Sequence, residues 1–97
     1  MVIIDIKYKK KLDVVDQFRK EHIEYLSRFY EQGLIIASGP YNNRSGGLII
    51  SIMDSKSAYA YMKNDPFYIH DIGDFQIKEF EPTKITNGFN KLINDMR

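Results

Sequence analysis

Along residues 2 to 8, Val2, Ile4, Ile6 and Tyr8 fall on one side and Ile3, Asp5 and Lys7 on the other. That two-residue period predicts a strand with one strongly apolar face. After the solvated Lys9-Lys10-Lys11 the period changes. Val15, Phe18, His22, Tyr25, Leu26 and Phe29 recur at steps of three and four, a stripe facing a core, while Lys20, Glu21, Glu24, Ser27, Arg28 and Glu31 lie away from it. Asp13 stands where an N-cap is needed and Asp16 adds favourable charge to the first turn, so the helix is expected to begin near Val14. Gly33 tolerates the positive φ that ends it. Residues 34–37 are apolar on both faces and predict a second strand, closed by Ser38-Gly39-Pro40.

The turn-rich stretch 42–47 leads into a third strand at 48–53, which makes a hairpin with the second. Asp54 or Ser55 caps a short second helix through Ala58, Tyr59, Tyr61 and Met62, ending at Asp65-Pro66 because the residue before proline is pushed out of the α region. A fourth strand spans 75–80, and Pro82 terminates it. Phe89, Leu92, Ile93 and Met96 then recur at helical spacing in a last amphipathic helix. The order β-α-β-β-α-β is the split βαβ arrangement of a ferredoxin-like α+β fold, with a four-stranded antiparallel sheet covered by helices on one face. We divide the chain into a domain over residues 1–82 and a helical tail over 83–97.

Composition narrows the function classes. Ninety-seven residues suit one domain with a modest core, and the third strand, with Ile49 and Met53, is not wholly polar on either face. The bare sheet face is therefore expected to meet a second copy in a homodimer, or a higher even oligomer, through closed two-fold symmetry. A formal charge of +1 gives no broad footprint for nucleic acid or an anionic membrane. Without cysteine there is no disulfide, thiolate chemistry or cysteine metal site. The first residues show no basic stretch followed by an apolar run, and no apolar run approaches spanning length, so a soluble cytoplasmic protein is expected. Gly46-Gly47 lacks the lysine of a phosphate loop and no serine has a nucleophile-elbow context. The two histidines are far apart, which argues against a metal centre, and no cofactor is implied.

His22 is the anomaly, a titratable group on the apolar side of a helix, where burial is costly without a partner. Two readings stand: a core histidine satisfied by a backbone carbonyl or a tyrosine hydroxyl, or an acid–base group. Arg19, one turn earlier, either holds a substrate carboxylate or enolate or makes a surface ion pair. Ser38 and Gly39 either offer a hydroxyl and a backbone amide to a ligand oxygen or form a tight strand end. Tyr25 either bounds a pocket or belongs to the core, and His70 reads as a loop residue.

The pattern Arg19-x-x-His22-x-x-Tyr25-Leu26, then Gly33-Leu34, Ala37-x-Gly39-Pro40 and Asp65-Pro66-Phe67 resembles the YciI-like proteins of the dimeric α+β barrel superfamily. The resemblance covers residues 2 to about 81, with departures at Ile69-His70-Asp71 and in the tail. It implies a sheet-to-sheet dimer with a small pocket in each subunit and a histidine–aspartate pair, to which His22 and Asp65 correspond. Pro66 would then hold Asp65 out of helical geometry, turning its carboxylate back toward the first helix. Two functions follow: a small-molecule enzyme in which His22 and Asp65 move a proton (isomerase, lyase or hydrolase on a small oxygenated substrate), or a non-catalytic binding or interaction dimer. Haem or quinone monooxygenase chemistry is weaker, because tryptophan is absent and axial-ligand candidates are few.

Overall fold

The computed structural model describes the backbone of residues 1–96 and the side chains of residues 1–91. Four strands, β1 (Val2–Tyr8), β2 (Ile35–Pro40), β3 (Gly46–Ser51) and β4 (Gly73–Glu79), form one antiparallel sheet in the order β2-β3-β1-β4. The helices are α1 (Leu12–Glu31), α2 (Ser55–Lys63), the four-residue α3 (Pro66–Ile69) and α4 (Asn87–Met96). This is the expected order, with α3 added between α2 and β4.

The alternation along β1 decides which face is covered. Val2, Ile4 and Ile6 are buried and, with Ile35, Ile49, Leu26, Met53, Ala58 and Tyr61, make the main core. A smaller cluster of Val15, Phe67 and Ile72 lies beside it and is joined to it through Tyr8 and Phe75. On the opposite face Ile3 stands beside Ile50 and Lys78, and Asp5 beside Leu48 and Gln76. Tyr41 donates its hydroxyl to Asp5 Oδ1 at 2.7 Å.

Several boundaries differ from the periodicity. α1 starts two residues early, with Lys11 as its N-cap: the N–H groups of Val14 and Val15 both reach Lys11 O at 3.0 Å. Asp13 therefore lies inside the first turn, not at the cap, and its carboxylate accepts from Val14 N–H at 3.0 Å. The C-terminus is as expected. Gly33 has φ 73°, its N–H bonds to Tyr30 O and that of Leu34 to Phe29 O, the paired bonds of a Schellman cap. Ser38, Gly39 and Pro40 continue β2, pairing with Ile49, Leu48 and Gly47, because on an edge strand Pro40 need not supply an N–H to a ladder.

Likewise Gly46 and Gly47 open β3 instead of closing the turn. A Cβ at Gly46 would lie 1.9 Å from Ile6 O, so only glycine lets β3 approach β1 there. Asp54 caps α2 through Ser57 N–H at 2.8 Å, and α4 begins at Asn87 as expected. The side chains of Leu92, Ile93 and Met96, expected along its apolar stripe, lie outside the described residues.

Candidate active site

Asp65 is positioned by the ends of two helices. α2 stops at Lys63 and Asp65 takes extended geometry (φ −71°, ψ 128°) as the N-cap of α3, with Pro66 in the first turn where no N–H is required. Its side chain is fully buried. Oδ1 accepts from Phe67 N–H at 2.8 Å and faces His22 Nδ1 at 2.8 Å; Oδ2 accepts from the Tyr61 hydroxyl at 2.6 Å. Three donors thus converge on one carboxylate, which is what a buried anion needs to offset its lost hydration. No Lys or Arg pairs with it among the described residues.

That arrangement fixes the histidine. An ionised carboxylate only accepts, so the proton of this contact sits on Nδ1. The imidazole lies face to face with the Phe67 ring, centroids 4.0 Å apart and planes within 3°. Carboxylate and ring together hold both the tilt and the rotation of His22, whose side chain is 12% exposed. Its open side belongs to a cavity of about 210 Å³ between α1 and the β2–β3 end of the sheet. Apolar walls come from Ile6, Ile23, Leu26 and Ile49.

Arg19 stands at the same cavity and is exposed. Asp16, one turn before it, is taken by Arg44 at 2.6 Å, and among the described residues Arg19 has no acidic partner. Among these residues the surface ion pair considered for Arg19 is not formed. Tyr8 also lines the cavity; burial raises its pKa and the Arg19 charge partly opposes that. Ser38 and Gly39 line it too. The Ser38 hydroxyl is 2.6 Å from the Tyr30 hydroxyl, and a Cβ built on Gly39 would meet nothing within 4 Å, so no steric demand for glycine exists there.

Tyr25 is a correction: it does not line the cavity. It lies behind the site, stacked on Tyr61 at 5.0 Å with its hydroxyl donating to Tyr61 O at 2.7 Å. Burial first, and the nearby Asp65 charge second, push its phenol up to about 12. Tyr61 is pushed higher still by burial, the Asp65 charge and the hydrogen bond it donates. His70 caps the end of α3 and stacks on Phe18 at 4.3 Å, outside the cavity.

Sequence reasoning did not assign Tyr61 or Phe67 a place at the site. The i,i+4 spacing of Tyr61 and Asp65 and the Asp-Pro start signal of α3 were the available signs. Among the described residues no group of three or more His, Asp or Glu is placed to hold a metal ion. Nor, among them, is any helix long and apolar enough to cross a membrane.

The YCII-related domain matches residues 1–81. The chain belongs to that family. No curated protein matches its sequence. Among solved structures it is similar to 5-chloro-2-hydroxyhydroquinone dehydrochlorinase (TftG) from Burkholderia phenoliruptrix AC1100 in complex with 2,5-dihydroxybenzoquinone. The TM-score is 0.69 at 16% identity, covering 84% of this chain and 94% of that chain. At that identity the likeness is one of fold, and it agrees with the ferredoxin-like α+β architecture expected of the YCII family.

Proposed function

We propose that this YCII-family protein is an enzyme that moves a proton on a small oxygenated substrate, with His22 as the acid–base group and Asp65 as the carboxylate that orients it. The observation that carries this reading is the 2.8 Å contact of His22 Nδ1 with buried Asp65, on a histidine that opens into a cavity. Nε2 takes a proton from a substrate C–H or O–H, and Asp65 stabilises the imidazolium that results. Arg19 balances the charge left on the enolate or phenolate oxygen. Returning the proton to another carbon completes an isomerisation; departure of a leaving group with its electron pair completes an elimination.

The cavity is smaller than the ~300–1,000 Å³ typical of drug-sized ligands, so its substrate is about one ring in size. The similar fold belongs to a dehydrochlorinase of a chlorinated hydroxyhydroquinone, solved with a dihydroxybenzoquinone, and we assign this chain the same broad class of ligand. The open sheet face with Ile3, Leu48 and Ile50 is assigned to a second copy, which light scattering tests directly. The segment 83–97 is assigned an accessory role: a chain ending at Pro82 remains folded with the same affinity for ligand.

The test of the function is proton exchange. Incubated in D₂O with 2,5-dihydroxybenzoquinone, the protein accelerates exchange of the ring C–H, followed by proton NMR, and His22→Gln abolishes the acceleration. Saturable binding without exchange, in the parent and in His22→Gln alike, makes the protein a binding dimer instead.

A further inference from the structure

The Asp65 carboxylate has one oxygen for the histidine and the other for a tyrosine. Tyr61 is 1% exposed, and its hydroxyl lies 2.6 Å from Oδ2. Its ring cannot turn away: Tyr25 stacks on one side at 5.0 Å, Phe29 meets it edge-on at 4.8 Å, and the Tyr25 hydroxyl ties the Tyr61 backbone through its carbonyl. A core tyrosine could have sent its hydroxyl to a backbone carbonyl or to solvent; this one is aimed at the carboxylate that orients the candidate base. Burial and the Asp65 charge hold its proton on, so it donates throughout the working pH range.

We propose that Tyr61 is a positioning residue that sets how strongly Asp65 pulls on His22. A hydrogen bond donated to Oδ2 draws charge from Oδ1 and weakens the acceptor that faces Nδ1. Removing it concentrates the negative charge toward the imidazole and favours imidazolium. Tyr61 thus shares the anion and tempers the pull of Asp65 on the imidazole proton. The groups that face His22 are few. Asp65 comes from the turn before α3, Arg19 lies one turn before His22 on α1 at the same cavity, Tyr8 lines that cavity from β1, and Tyr25 and Tyr61 lie on the Asp65 side from α1 and α2. Of these, only Tyr61 donates to the far oxygen of the carboxylate.

The inference rests on His22 as the proton-transfer group, and the two ideas fail differently in one experiment. Ring proton shifts of His22 are followed by NMR against pH in the full chain, in Tyr61→Phe, in Asp65→Asn and in the double variant. Tyr61→Phe moves the midpoint of the His22 titration to higher pH, Asp65→Asn moves it to lower pH, and in the Asp65→Asn background Tyr61→Phe moves nothing further. A midpoint unmoved by Tyr61→Phe but lowered by Asp65→Asn returns Tyr61 to a purely structural role and leaves the base intact. One unmoved by Asp65→Asn removes the His–Asp pair itself. If Tyr61→Phe does not fold, 3-fluorotyrosine at position 61, a stronger donor of the same shape, must move the midpoint to lower pH; an unchanged midpoint overturns the assignment.

Discussion

Asp65 and Asp71 stand at opposite ends of the same short helix, each within reach of a basic side chain, and their surroundings make them different instruments. Asp65 is fully buried and receives His22, Tyr61 and the Phe67 N–H. The Asp71 side chain is 67% exposed, sits just past α3 at φ 57°, and pairs with Lys9, which also reaches Asp74 at 3.3 Å. Lys9 lowers the Asp71 pKa and Asp71 raises that of Lys9, chiefly through their hydrogen bond, but water and salt screen such a pair. An acid–base pairing alone therefore does not mark the candidate site. Burial, convergent donors and an adjoining cavity do.

The comparison breaks most sharply at Asp65. Asp65→Ala strands the Tyr61 hydroxyl and the Phe67 N–H in a dry interior, and we expect it to cost about 2–4 kcal/mol in urea unfolding. A loss no larger than that of an exposed acid would mean that the buried network carries little of the fold. Next comes alkaline stability. Up to ~pH 10 both folded and unfolded chains keep their tyrosine protons and these groups add no pH dependence. Above it the unfolded chain releases protons that Tyr61 and Tyr25 retain in the fold, so stability falls with rising pH, Tyr25 contributing until about 12. For buried Tyr61 the slope is up to ~1.4 kcal/mol per pH unit, and Tyr61→Phe flattens the curve. A profile level from pH 9 to 11 in the parent would contradict the burial of that phenol. The smallest effect belongs to Asp71. Asp71→Gly gives up a screened ion pair and relieves a left-handed backbone position, so Tm stays within error of the parent in low and high salt. A salt-sensitive drop would place that pair among the structural ones.

The elements were legible because their periods were clean: β1 alternates and α1 carries its stripe over four turns. His22 was legible as an oddity because a polar ring interrupts that stripe. Its partner was not, since Asp65 lies 43 residues away and only the family pattern joined the two. Tyr61 was hidden for the opposite reason, as an aromatic at helical spacing reads as core whichever way its hydroxyl points. Tyr25 could be read either as a pocket wall or as core, and it packs against Tyr61. The glycines at 46 and 47 read as a turn because a sequence does not show how near a neighbouring strand will come.

We propose that His22 turns Nε2 toward the cavity while Asp65 holds a proton on Nδ1. Nitrogen-15 NMR of the neutral imidazole measures this directly. We expect the Nδ1–H tautomer in the parent and its loss in Asp65→Asn. An Nε2–H tautomer in the parent, with Nδ1 bare against Asp65, would contradict it.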